Sequence, residues 1–256
     1  MNEDMIFPGL VGKRAIVTGA IGGIGSVIAV LLGKSGAFVG VHYNDRKYEA
    51  ERIAADIISN GGKAVILKAD LFNMQSGIYM VDEYVDRFGG IDILVNNAGG
   101  TIGANHFLDL DEDAWDKTFF LNVKAPFFLI KQVAPIMMAQ NNGKIINISS
   151  ISAKYGGGNT SLHYGAAKAA LDTLTKGLSR SLAQYNVLVN SVRAGFVDTD
   201  QHRKMGRTEA DIKERLKLVP LKRAAQPIEI AQMVLFLLST AGDYTTGEVF
   251  TVAGGD

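Results

Sequence analysis

Cysteine is absent from the 256-residue sequence, which removes disulfides, thiolate nucleophiles and cysteine metal sites together and is compatible with a reducing compartment. Neither sign of charge is in excess. With 26 Lys plus Arg against 26 Asp plus Glu, the formal net charge is zero, so there is no general attraction to polyanions and nucleic acid is not an expected partner. The four histidines, His42, His106, His163 and His202, are scattered without metal-ligand spacing; all are read as structural or exposed, and no metal is expected. No apolar run approaches the ~18 residues of a membrane span. The opening Met1-Asn2-Glu3-Asp4 is acidic where a secretory signal would be basic. A cytoplasmic protein with no membrane partner is expected.

What is present is an ordinary globular composition, 47% hydrophobic and 20% charged. The length fits one large α/β domain or two small ones. Seven β-branched or leucine-rich runs alternate with helical patterns: Arg14 to Thr18, Phe38 to Tyr43, Ala64 to Lys68, Ile91 to Asn96, Lys144 to Ser149, Val187 to Val192 and Glu248 to Val252. Most are uninterrupted by polar residues, as suits strands buried on both faces of a parallel sheet. Helices are predicted at Arg46 to Asn60, ended by Gly61 and Gly62, and at Met74 to Phe88, ended by Gly89 and Gly90. No repeat or linker divides the chain. The expected fold class is therefore α/β, a doubly wound parallel sheet of seven strands with helices on both faces, as a single domain over residues 1–256. Residues 198–222 are polar and without a strand, a surface excursion of the length that usually serves function. Phe119, Phe120, Phe127, Phe128 and Trp115 read as helix packing surface.

The first strand runs into Thr18-Gly19-Ala20-Ile21-Gly22-Gly23-Ile24-Gly25 and then the helical pattern Ser26 to Leu32. A strand, a glycine-rich turn and a helix amino terminus together make an anion site, because glycine permits close backbone approach and the first helical N–H groups are unpaired. The same letters also serve a plain β-to-α turn. A nucleoside triphosphate loop is excluded: Gly33-Lys34-Ser35 resembles its end, but Ile28 stands where that pattern demands glycine. After the fourth strand, Asn96-Asn97-Ala98-Gly99 falls where a doubly wound sheet opens its cofactor crevice. Alone, that tetrapeptide reads more readily as a turn.

Tyr164-Gly165-Ala166-Ala167-Lys168 lies in a helical stretch from about Ser161 to Tyr185, and its spacing puts Tyr164 and Lys168 on one face. Tyr43-Asn44-Asp45-Arg46-Lys47 has the same spacing, but only Tyr164 follows a strand ending in Ser149-Ser150. A tyrosine so placed suits hydride delivery to a carbonyl, where the nascent alkoxide must be protonated in a water-poor site. Its reference pKa near 10 leaves about three units, or about 4 kcal/mol, to neutral pH. An ammonium about 4 Å away supplies roughly that much at an effective dielectric of about 20, so Lys168 is expected to bring the Tyr164 pKa down.

In this order and spacing, Thr-Gly-x-x-x-Gly-x-Gly, Asn-Asn-Ala-Gly, Ser-Ser and Tyr-x-x-x-Lys resemble the short-chain dehydrogenase/reductase family from Lys13 to Gly255. Pro220 to Arg223, Pro227 to Ile230 and Gly247 to Gly255 resemble its carboxy-terminal third. The resemblance implies a Rossmann-type sheet, an NAD(P)-dependent oxidoreductase acting on CH–OH or carbonyl groups, and a homotetramer. It implies Tyr164 as catalytic acid/base, Lys168 as its partner, Ser150 as the carbonyl-orienting hydroxyl with Ser152 as competitor, and Asn122 as support for a water relay. The cofactor residues it implies are Gly19, Gly23, Ile24 and Gly25 in the turn, Asp70, Leu71, Asn97, Ala98 and Gly99 in the crevice, and Val197 and Thr199 at the nicotinamide end.

Two departures stand out. Ala194-Gly195 replaces the family's usual Pro-Gly, which predicts a less rigid start to the next loop. The interval from Ser150 to Tyr164 is one residue longer than in many relatives, with Gly156-Gly157-Gly158 placed to absorb it. At the end of the second strand, where NAD enzymes carry an acidic residue, stands Tyr43, followed by Asn44 and by Arg46 and Lys47, either of which suits a 2′-phosphate. NADP is expected, with NAD possible through Asp45, itself expected to point into solvent. Three functions stay open: reduction of a ketone or a 3-oxoacyl thioester, as in 3-oxoacyl-acyl-carrier-protein reductases; NAD-dependent oxidation of a sugar, polyol or hydroxysteroid; or dinucleotide sensing without catalysis.

Overall fold

The computed structural model describes residues 7–103, 106–200 and 208–256. The expected sheet is present: β1 (Arg14–Val17), β2 (Phe38–Tyr43), β3 (Lys63–Lys68), β4 (Ile93–Asn96), β5 (Gly143–Ser150), β6 (Val187–Ala194) and β7 (Val249–Val252). All pair in parallel, in the order β3-β2-β1-β4-β5-β6-β7. The connecting helices are α1 (Gly23–Lys34), α2 (Lys47–Ser59), α3 (Met74–Phe88), α4 (Glu112–Phe119), α5 (Ala125–Gln140), α6 (Ser152–Tyr155), α7 (Leu162–Leu182), α8 (Glu209–Leu218) and α9 (Pro227–Leu238).

Alternate strand residues serve opposite core layers, which is why the strand runs have to be apolar throughout. Ala15, Val17 and Val95 pack with Ile28 and Leu32 of α1 and Val234 of α9, whereas Ile16 and Leu94 pack with Val81 of α3 and Leu129 and Val133 of α5. Side chains as fully buried as these each contribute about 1.5–3 kcal/mol. The switch in strand order falls at β1 and β4, whose carboxyl ends diverge and open a crevice there.

Element ends differ from the sequence reading where side chains take over the pairing. β1 stops before Thr18, whose hydroxyl donates to the Val95 carbonyl at 3.2 Å. β4 starts after Asp92, whose carboxylate accepts from the Arg14 backbone and guanidinium at 2.8–2.9 Å. Helix α3 has the expected bounds, with the Asn73 side chain capping the Gln75 and Ser76 amides and Gly89 closing the other end.

Ala194 corrects an expectation. It ends β6 in register with both Ser150 and Val252, its carbonyl accepts the Ile151 amide at 2.9 Å, and Gly195 N–H bonds to the Val252 carbonyl at 2.9 Å. Ladder bonds on two sides hold the start of this loop.

Between β5 and Tyr164, Gly156 caps α6 and the Gly158 amide bonds to Ser161 Oγ at 3.1 Å. The excursion after β6 is pinned at its base by a bridge between Val197 and Ala225 and carries α8, whose amino terminus is closed by a Thr208–Asp211 capping box. His202 and the residues around it, 201–207, lie outside the described residues.

The run Glu112–Gln140 is helical throughout, passing a π turn at Phe120–Lys124, and is long and apolar enough in composition to cross a membrane. The sequence reading had found no such run. Leu129, Ile130, Val133 and Met137 are buried in the α3-side layer, so the helix is part of the core. Phe119, Phe120, Phe127 and Phe128 are half-buried, and Trp115, still exposed, stacks on Phe119 at 5.0 Å.

Candidate active site

The crevice at the strand carboxyl ends holds a cleft of ≈ 1310 Å³ that runs from the glycine turn past β4 and β5 to α7 and α8. At its first end, α1 begins at Gly22 with no side-chain cap and no acidic residue in its first turn. Its leading N–H groups and the positive end of its dipole therefore face the cleft, an arrangement that suits a pyrophosphate. Gly19, Gly23 and Ile24 line this end, and Gly22, not singled out from the sequence, lines it with them.

Gly25 does not line the cleft. It lies beneath the turn, where a Cβ would collide with Asn97 Nδ2 and come within 2.5 Å of the Gly19 carbonyl. The Asn97 side chain is also committed to the turn, donating to the carbonyls of Thr18 at 2.8 Å and Gly19 at 3.1 Å. Thr18 Oγ1 accepts the Asn97 and Ala98 amides at 2.9 and 3.0 Å. Asn97 and Gly25 thus shape the anion end through each other.

His42 has a structural role, one of the two readings expected of it. It is buried, Nδ1 accepts the Gly19 amide at 2.9 Å, and Nε2 meets the Ala69 carbonyl at 3.1 Å, so Nε2 carries the hydrogen. Burial pushes its pKa down to about 4, which keeps the ring neutral and able to accept. The glycine turn is thereby tied to the segment that carries Asp70 and Leu71, both on the cleft wall. Only the partners, 23 and 27 residues away, reveal this role. His163, by contrast, bonds to the Ile102 carbonyl at 2.8 Å, and His106 caps a short turn.

Beyond β2, Asn44, Asp45, Arg46 and Arg52 line the cleft. Arg46 Nη2 lies 4.0 Å from where a Gly22 side chain would start, and Nη1 is 3.9 Å from Glu49, a loose ion pair. Asp45 is exposed, as expected, but on the cleft margin.

At the other end, Ser150, Tyr164 and Lys168 line the cleft together with Ala98, Gly99, Val197 and Thr199. The Ser150 hydroxyl accepts the Ser152 amide at 3.1 Å and is near enough to the Tyr164 hydroxyl to oppose the rise of its pKa, which favours Ser150 over Ser152. Lys168 Nζ donates to the Ile148 carbonyl at 2.8 Å and sits 5.7 Å from the centre of the Tyr164 ring. Asn122 does not line the cleft. Fully buried in the π turn, it accepts the Gly100 amide at 3.1 Å through Oδ1 and donates to the Gly100 carbonyl at 2.8 Å. A Cβ on Gly99 would meet Asn122 Oδ1 at 2.6 Å and Lys168 Nζ at 3.1 Å, so these groups converge on a face that only glycine leaves free.

The electrostatics reverse one expectation. Burial pushes the Tyr164 phenol up to about 12, opposed by the Ser150 hydrogen bond, and pulls the Lys168 ammonium down to about 8, opposed by Asp172. Desolvation is the largest cause of both shifts, and the ammonium is turned toward the Ile148 carbonyl. Among the described residues, no group of three or more His, Asp or Glu is placed to hold a metal.

A family profile described as Enoyl-(Acyl carrier protein) reductase matches residues 19–256. The 3-oxoacyl-[acyl-carrier-protein] reductase of Synechocystis sp. is 35% identical over 247 residues, covering 96% of this chain and 97% of that protein. Versicolorin reductase 1 of Dothistroma septosporum is 33% identical over 254 residues, covering 95% of each. Among solved structures, a short-chain type dehydrogenase/reductase from Mycobacterium marinum superposes with a TM-score of 0.90 at 31% identity, covering 98% of this chain and 97% of that one. With this sheet, this cleft and these relatives, the chain belongs to the short-chain dehydrogenase/reductase family, oxidoreductases that act on CH–OH or carbonyl groups with a nicotinamide dinucleotide.

Proposed function

We propose that the protein is an NADPH-dependent reductase of a ketone or 3-oxoacyl thioester, with Tyr164 as proton donor. The observation that carries the reading is that Ser150, Tyr164 and Lys168 meet on one cleft wall with Gly99, Lys168 Nζ lying 5.7 Å from the centre of the Tyr164 ring. The bound dinucleotide supplies the hydride. Ser150 and Tyr164 hold the carbonyl oxygen by hydrogen bonds, which fixes the carbon for attack. Tyr164 then gives its proton to the developing alkoxide, and Lys168 stabilises the phenolate left behind. A phenol raised to about 12 is protonated at neutral pH, the state that reduction requires. Asn122 fixes the Gly100 peptide behind this wall.

Gly19, Gly23 and Ile24 hold the pyrophosphate in this reading, Gly25 and Asn97 shape their turn, and Asp70, Leu71 and Ala98 flank the adenosine half. Val197 and Thr199 meet the nicotinamide end, and the excursion is assigned to the substrate side through its described residues Arg215 and Leu218 on the cleft wall. A soluble cytoplasmic homotetramer is part of the same proposal and rests on the relatives. The substrate class comes from relatives such as the Synechocystis reductase.

Cofactor preference is assigned to Arg46, which leans toward the glycine turn with only a 3.9 Å contact to Glu49, supported by Asn44. Arg46→Ala is expected to lower kcat/KM for NADPH about tenfold, the loss of one charge-assisted hydrogen bond, with little effect on NADH. Asp45 on the cleft margin favours the second reading, an NAD-dependent sugar, polyol or hydroxysteroid dehydrogenase. Steady-state kinetics with both cofactors and acetoacetyl-CoA, a sugar, a polyol and a hydroxysteroid separates the two. Higher kcat/KM with NADH, together with gain of NADPH use in Asp45→Ala, would replace the first by the second.

A further inference from the structure

One turn further along α7 lies a buried charge that the proposed chemistry leaves unused. Asp172 follows Lys168 by four residues on the same helix face and is 4% exposed. Its two oxygens are held by different donors on β6: Oδ1 accepts Ser191 Oγ at 2.9 Å, and Oδ2 accepts Arg193 Nε at 2.7 Å. A carboxylate this deep needs a counter-charge, and Arg193 provides one. The arginine side chain, however, is 23% exposed, whereas Lys168 is buried at 3%. Water screens the first charge far more than the second.

The groups facing Lys168 can be named element by element. Tyr164 and Asp172 come from its own helix. From β5 the Ile148 carbonyl accepts from Nζ, while the Ser149 hydroxyl bonds to the lysine's backbone carbonyl, and the π turn brings Asn122 Oδ1 to the same side of Gly99. Arg193 reaches it through Asp172 from β6. Asp172 is the carboxylate in this set.

We propose that Asp172 is a positioning residue of the reaction, holding Lys168 in its charged form beside Tyr164, while Ser191 and Arg193 hold Asp172. The proposal rests on the roles assigned above to Tyr164 and Lys168. Its physical basis is that the two groups lie one turn apart on the same face of α7 and are both buried, so that the carboxylate opposes the desolvation that would discharge the ammonium. Because the tyrosine and lysine interact, they titrate as a pair. Removing a nearby negative charge lowers the pKa of both members, and removing a positive charge raises both.

The test is the pH dependence of kcat/KM for NADPH-driven reduction of acetoacetyl-CoA. Asp172→Asn should move the basic limb down by about one pH unit. Arg193→Met should move it up, and the variant carrying both substitutions should fall between them. Arg193→Lys keeps the charge, should leave the limb near the wild-type position, and provides a folded comparison if Arg193→Met is unstable. Slower variants with unmoved limbs, or shifts of the same sign in Asp172→Asn and Arg193→Met, would mean that the network serves packing alone and would overturn the proposal. Tyr164→Phe assayed alongside separates the two levels: full turnover there removes the assignment of Tyr164 and Lys168, while its loss together with unmoved limbs removes Asp172 alone.

Discussion

Tyr164→Phe is expected to lower turnover by about 10²–10⁴-fold, the usual worth of a positioned general acid, while NADPH affinity stays within about twofold. The change deletes one oxygen from a side chain that lines the cleft beside Lys168 and Ser150. It leaves the glycine turn, more than a strand's length away in the chain order, untouched. Tyr43→Phe should keep most of the activity. Tyr43 is also on the cleft wall, but at the end of β2 beside the dinucleotide end. Rates with the two variants ranked the other way would show that the site has been put at the wrong tyrosine.

Gly25→Ala is expected to weaken NADPH binding by about 10–100-fold, the equivalent of about 1–3 kcal/mol of overpacking. The added methyl has no free volume: it lands on Asn97 Nδ2 and within 2.5 Å of the Gly19 carbonyl. Either Asn97 leaves its bonds to Thr18 and Gly19, or the turn shifts away from the helix amino terminus. Direct titration with NADPH measures the effect. Binding within twofold of the parent protein would show that the turn can relax and that the Asn97 clamp does not shape it.

These two residues mark how far the sequence could be read. Tyr164 and Lys168 were legible because helix periodicity alone puts them on one face, and Ser150 because a strand end precedes them. The strands were legible because both faces of the sheet are buried and each run must be apolar. Gly25 was marked correctly as part of the turn, but its contact with Asn97 joins residues 72 positions apart and is visible only once β1 and β4 lie side by side. The particular contacts of His42, whose structural role is one of the two expected, were hidden for the same reason, since its partners are Gly19 and Ala69. The direction of the Tyr164 shift was misread because charge can be counted in a sequence whereas desolvation cannot. At the far end of the cleft, Arg215 pairs with Asp256 and bonds to the Tyr155 hydroxyl at 3.0 Å, a polar cluster assembled from three separate segments that no motif announces.

The central claim is that this cleft delivers hydride to a carbonyl carbon. The most direct measurement follows deuterium from the nicotinamide C4 position of labelled NADPH into the product of acetoacetyl-CoA reduction. The account requires the label on the new carbinol carbon, with the hydroxyl proton drawn from solvent and label transfer lost in Tyr164→Phe. Tight binding of NADPH with no label transferred to any carbonyl substrate would contradict it and leave a dinucleotide-sensing protein on the same scaffold.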